Sequence, residues 1–171
     1  MRMLVTGFGA FGDIDANPSS SLAESCGCEH VLLEVSFEAV EAFLASLDPE
    51  SFDALLLLGV AGKADVMRVE TVARNWIGPV LDVRGERHGP GLLDPAAPPR
   101  LAATLWPAEL LADAPLRAAS IDAGDYLCNY IFFRALQTFP DKRVGFLHVP
   151  PVTVIPLEEQ HRMLAEVMAG L

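Results

Sequence analysis

Asp122-Ala-Gly-Asp-Tyr-Leu-Cys-Asn129 lies between a short apolar run, Leu116 to Ile121, and a strongly helical run, Tyr126 to Phe139. Asp122 and Gly124 read as a turn that starts the helix. A second apolar run, Arg143-Val-Gly-Phe-Leu-His148, follows the helix and stops just before Pro150-Pro151. The block therefore predicts strand, helix and strand, the unit from which parallel sheets are built. Cys128 falls near the helix start, where unpaired backbone N–H groups and the helix dipole favour an anion. His148 falls at the end of the second strand.

Working outward, the same alternation recurs. Met3 to Thr6 is a short strand that empties into Gly7-Phe-Gly-Ala-Phe-Gly12. Asn17-Pro-Ser19 is a turn and cap for a helix over about Ser20 to Ser25. His30 to Val35 is the next strand, and Phe37 to Leu47 has apolar residues at helical spacing. Ala54-Leu-Leu-Leu-Leu-Gly-Val60 is continuously apolar, as a central strand buried on both faces should be. Val66 to Trp76 reads as one strand and Ile77 to Pro99 as a long loop with room for a small hairpin. Arg100 to Leu111 reads as a helix, and Leu157 to Met168 as the last helix, begun after Pro156. The predicted fold is α/β, a three-layer α/β/α sandwich with a mostly parallel central sheet, in a single domain over residues 1–171. In such sheets ligands gather at the carboxyl ends of strands. Cys128 follows one strand end and His148 closes the next, so both are expected at one edge.

Bulk composition narrows the class. The 171 residues are 51% hydrophobic and 20% charged, which suits a globular chain, and the net charge of −11 argues against nucleic acid and anionic membranes as partners. Three cysteines, Cys26, Cys28 and Cys128, make no disulfide framework. Met1 to Gly7 is too short for a signal peptide or a spanning helix, so a reducing cytoplasm is the expected location. No metal site and no cofactor are expected.

Each chemical reading has a plainer alternative. Cys128 suits a nucleophile, but it also shares a helix row with Phe132 and Leu136 and could be a buried structural thiol. His148 suits a general base and acid, or a histidine satisfied by a backbone partner. Glu70 could orient the imidazole, or sit at a solvated edge paired with Arg68 or Arg74. The glycine-rich loop lacks phosphate-binding spacing, and Phe8 and Phe11 suit an apolar ligand wall or a tight turn.

Taken together, four stretches resemble the type I pyroglutamyl peptidases, a cysteine peptidase family. They are Leu4-Val-Thr-Gly-Phe-Gly-Ala-Phe-Gly12 with Asn17-Pro-Ser19, then Gly59-Val-Ala-Gly62 with Glu70-Thr-Val-Ala-Arg-Asn75. The Cys128 stretch and Gly145-Phe-Leu-His-Val-Pro150 complete the set. Their order is the family's order, and they span nearly the whole chain. The resemblance implies removal of an amino-terminal pyroglutamyl (5-oxoproline) residue from peptides, without a cofactor. It implies Cys128 as nucleophile, His148 as acid and base, and Glu70 as orienting acid. It places Phe8, Phe11, Asn17, Val60, Tyr126 and Leu127 around the substrate, and the Cys128 N–H at the oxyanion. A homo-oligomer, dimer or tetramer, is also implied.

The chain departs from the pattern at several points. Val60 stands where the family has a glutamine near the lactam. Ile77-Gly-Pro-Val80 stands where the family carries an arginine, which Arg84 or Arg87 could replace only by a shift of the loop. Ala10 replaces a proline, and the connections before Glu70 and between Cys128 and His148 are trimmed. These departures motivate a second reading: a catalytically weakened member that binds a lactam or acyl group with little turnover. A structural domain with no small-molecule site would require all four motifs to coincide by chance.

Overall fold

The computed structural model describes residues 1–10, 17–112 and 114–171. Its strands are β1 (Met3–Phe8), β2 (Glu29–Leu33), β3 (Ala54–Val60), β4 (Met67–Glu70), β5 (Val72–Arg74), β6 (Arg100–Ala102), β7 (Arg117–Ser120) and β8 (Arg143–Val149). The helices are α1 (Pro18–Ser25), α2 (Phe37–Ser46), α3 (Ala108–Leu111), α4 (Leu127–Thr138) and α5 (Leu157–Ala169). Six strands form the central sheet in the order β2-β1-β3-β8-β4-β7, and β5 and β6 make a separate antiparallel ribbon.

Strand alternation sorts the apolar side chains onto two faces. Leu4, Phe8, Leu55, Leu57, Val144 and Phe146 pack beneath α2 and α4. Met3, Val5, Leu56, Leu58, Val69 and Leu147 pack against α1 and α5 on the other side. Because both faces are covered, β3 can be apolar without a break, which is the pattern read from Ala54 to Val60. Asn17 caps α1, its Oδ1 accepting from the Ser19 N–H at 3.1 Å, and Ser36 caps α2 through the Ala39 N–H at 3.2 Å.

Three expectations change. The run Val66 to Trp76 is two strands, because β4 joins the main sheet and β5 leaves it after Thr71. Arg100 begins β6 rather than a helix, pairing with Arg74, and only Ala108–Leu111 is helical. The hairpin foreseen in the long loop is a single bridge between Ile77 and Gly91, with a tight turn at Asp82–Glu86.

A fourth difference concerns direction. β2, β1, β3 and β8 are parallel, but β4 is antiparallel to β8, and β7 runs with β4. The strand before Cys128 and the strand ending at His148 therefore run oppositely. Their carboxyl ends alone do not bring the two residues together.

Candidate active site

The connection from Ile121 to Tyr126 does that work. Asp122 Oδ1 accepts from the Gly124 N–H at 3.0 Å, and Gly124 turns through a φ of +85°, where a side chain would be strained. The Gly78 N–H then donates to the Asp125 carbonyl at 2.7 Å. Asn129 finishes the anchoring. It is fully buried, accepts from the Arg74 N–H at 2.8 Å, and donates to the carbonyls of Arg74 and Trp76 at 2.9 Å each. The start of α4 is thus fastened to the segment after β5 and carried to the carboxyl end of β3. There, a Cβ placed on Gly59 would stand 2.8 Å from the Cys128 sulfur.

Gly59 pairs in register with His148 on the neighbouring strand β8. His148 points to the α2/α4 face, as Val144 and Phe146 do, and its ring lies 4.7 Å from that of Phe146. Its Nδ1 donates to Glu70 Oε1 at 2.8 Å, so Nε2 is the nitrogen left for Cys128. Glu70 is 0% exposed and His148 6%. The solvated edge pairing with Arg68 or Arg74 does not occur; Arg74 binds Asp122 at 3.0 Å instead. Trp106 Nε1 donates to the Glu70 carbonyl at 2.8 Å and steadies the end of β4.

Burial by itself would push the imidazole toward neutrality. The negative charge and hydrogen bonding of Cys128, and the hydrogen bond and charge of Glu70, outweigh it and raise the His148 pKa to about 9. The charged imidazolium is the state of His148 that this arrangement favours.

The helix start supplies a second resource. Tyr126 at the N-cap gives no side-chain acceptor to the first turn, so the early N–H groups of α4, that of Cys128 among them, have no cap. The Tyr126 hydroxyl instead donates to the Leu81 carbonyl at 3.1 Å. Burial, with the charges of Asp82 and Cys128, raises its pKa to about 12, so it remains a neutral donor.

Beside the sulfur is a small apolar pocket lined by Phe8, Asn17, Val35, Val60, Tyr126, Leu127 and Cys128. Five residues expected around a substrate are gathered there. Phe11 lies outside the described residues. Asn17 also has a structural task, since its Nδ2 donates to the Gly9 carbonyl at 3.1 Å. Val35, Gly59 and Asn129 were missed from sequence. Gly59 interrupts a leucine run, the one local sign that something sits on that face. The loop arginines do not replace the missing one: Arg84 is held by Glu34 and Glu38, and Arg87 is exposed. Among the described residues no cluster of three metal-ligating side chains is found, and no helix is long and apolar enough to cross a membrane.

Known proteins resemble the chain as a whole. The family description "Pyroglutamyl peptidase" matches residues 1–165. A pyrrolidone-carboxylate peptidase of Lacticaseibacillus paracasei is 33% identical, covering 88% of this chain and 78% of that protein. One from Thermococcus kodakarensis is also 33% identical, covering 88% and 81%. The crystal structure of the pyrrolidone carboxyl peptidase of Thermus thermophilus superposes with a TM-score of 0.85 at 32% identity, covering 99% of this chain and 100% of that one.

Proposed function

We propose that this chain, which belongs to the pyroglutamyl peptidase family, is a cysteine exopeptidase that hydrolyses the amino-terminal pyroglutamyl residue from peptides. The observation that carries the reading is the placement of His148 between buried Glu70 and Cys128, at an uncapped helix start beside an apolar pocket.

The chemistry follows from these positions. The lactam ring enters the pocket of Phe8, Val35, Val60 and Leu127, with Asn17 and Tyr126 as its remaining contacts. A pyroglutamyl residue has no free amine, so an uncharged, apolar pocket suits it. The Cys128 thiolate attacks the carbonyl carbon that follows the lactam, forming a carbon–sulfur bond and an oxyanion. The Cys128 N–H at the start of α4 stabilises that oxygen. His148 Nε2–H gives its proton to the peptide nitrogen as the carbon–nitrogen bond breaks. Water then attacks the thioester while His148 takes its proton, releasing pyroglutamate and the thiolate. Glu70 acts through the imidazole, fixing its tautomer and stabilising its charge.

A fluorogenic pyroglutamyl amide tests the reading: the purified chain should release the fluorophore, and Cys128→Ala should not. Persisting hydrolysis by Cys128→Ala would remove the nucleophile assignment.

Val60 and Val80 favour a second reading, a lactam-binding module with little turnover. Val60 offers the lactam no hydrogen bond, and Val80 lies exposed where an oxyanion arginine is expected. Calorimetry with pyroglutamate separates the two: binding without turnover supports the module. A single peptidase domain over 1–171, without metal or cofactor, working in the cytoplasm is part of the proposal, since a free Cys128 needs a reducing compartment. So is a dimer or tetramer, for which exposed Leu116, Val152 and Val154 supply apolar surface.

A further inference from the structure

Arg68 stands directly across from His148 in the antiparallel pairing of β4 with β8. Both side chains leave the sheet on the α2/α4 face, because Met67 and Val69 alternate onto the opposite core. Directly opposed Cβ atoms in such pairs lie about 4.5–5.5 Å apart. Arg68 is half-buried, and among the described residues it has no ion pair and no side-chain hydrogen bond. The acid two residues away, Glu70, is turned to His148. A guanidinium in this place keeps its donors for something outside the chain.

The order of the strands says what that is. The apolar pocket lies to one side of Cys128, built from Phe8 of β1, Val35 after β2 and Val60 of β3. His148 lies to the other side on β8, and Arg68 lies beyond it on β4. With the acyl group in the pocket and the leaving amine receiving its proton from His148, the departing peptide runs from Cys128 across β8 toward β4. Its first residues pass Arg68.

Resting on the peptidase reading above, we infer that Arg68 is a specificity-determining residue for peptides that carry a carboxylate directly after pyroglutamate. The carboxylate is either an aspartate or glutamate side chain or the free terminus of a pyroglutamyl dipeptide. A chain with a net charge of −11 otherwise repels such peptides, so a local cation at the exit side is what makes them acceptable.

The test is kcat/KM for two matched pairs. Pyroglutamyl-glutamate amide against pyroglutamyl-glutamine amide reads the side chain. Pyroglutamyl-alanine acid against its amide reads the terminus. The native chain should favour the charged member of at least one pair by about fivefold or more, the scale of one partly screened ion pair. Arg68→Gln should bring that ratio to about one, and Arg68→Glu should invert it. Each ratio is taken on one preparation, so a general loss of folding or turnover cancels. Ratios near one in the native chain, or ratios unchanged in Arg68→Gln, overturn the inference and leave the peptidase reading standing. Failure to hydrolyse any of these substrates overturns both.

Discussion

Gly59 lies under Cys128: a Cβ on Gly59 would stand 2.8 Å from the Cys128 sulfur and 2.7 Å from Cζ of Phe146. The absent side chain is what allows the sulfur to rest against the sheet beside His148. Phe146 is fully buried and has little freedom to withdraw. In Gly59→Ala the sulfur should therefore move off the sheet. Activity should fall by at least about tenfold, and overpacking should cost about 1–3 kcal/mol of stability. Kinetics on a pyroglutamyl amide and denaturant unfolding of the same variant check both parts. An active Gly59→Ala would mean the sulfur does not work from this position.

Glu70 holds His148 through a single oxygen, since its Oε2 has no partner among the described residues. Glu70→Gln keeps the shape and removes the charge that supports the imidazolium. The loss should appear in kcat far more than in KM, on the order of a hundredfold or more. Glu70→Ala should in addition lower the melting temperature, because a buried imidazolium then loses its carboxylate partner.

The alkaline side of the pH profile follows from His148. Its folded pKa of about 9 lies above the ordinary 6.5. The imidazolium needed to protonate the leaving amine is thus present at neutral pH and is lost as pH rises through about 9. Activity should fall on that limb, and Glu70→Gln should shift the limb to lower pH. Stability carries the same sign. The contribution of this proton is complete below about pH 6.5 and is lost between there and about 9.

Asn129 bridges α4 to the backbone of Arg74 and Trp76 with three hydrogen bonds. Asn129→Ala leaves those part-buried backbone groups without their side-chain partner, a cost of about 1–3 kcal/mol. It also frees the start of α4, so kcat should drop together with stability. Lowering the assay temperature until the variant is fully folded separates the two: a residual loss of turnover reports the misplaced Cys128.

Val60 is the most direct test of the pocket. Val60→Gln should lower KM for pyroglutamyl amides while leaving kcat within about threefold, as expected when a site gains a donor for a lactam it already holds. An unchanged KM would show that this position does not meet the ring.

The sequence by itself determined most of the elements, the faces of the central strands and helices, and the set of chemical groups, but not the split of Val66 to Trp76 into two strands or the strand at Arg100. The unbroken apolar run Ala54 to Val60 required a strand covered on both sides. The spacing in Phe37 to Leu47 required one helical face. The alternation around Val144, Phe146 and His148 put the histidine on the face that those two residues share. These are local consequences of backbone period and side-chain polarity, so they can be read without the fold. The tertiary structure decided what depends on long-range pairing. β4 reverses against β8 and takes β7 with it, so Cys128 reaches His148 through the turn at Gly124 and the anchor at Asn129, not by sharing a strand edge. The same pairing turns Glu70 inward to His148 instead of outward to an arginine, and sets Arg68 beside the site with its charge unspent. Strand direction leaves no mark in a window of a few residues. It is fixed by which distant backbone supplies the hydrogen bonds, and only the assembled sheet contains that information.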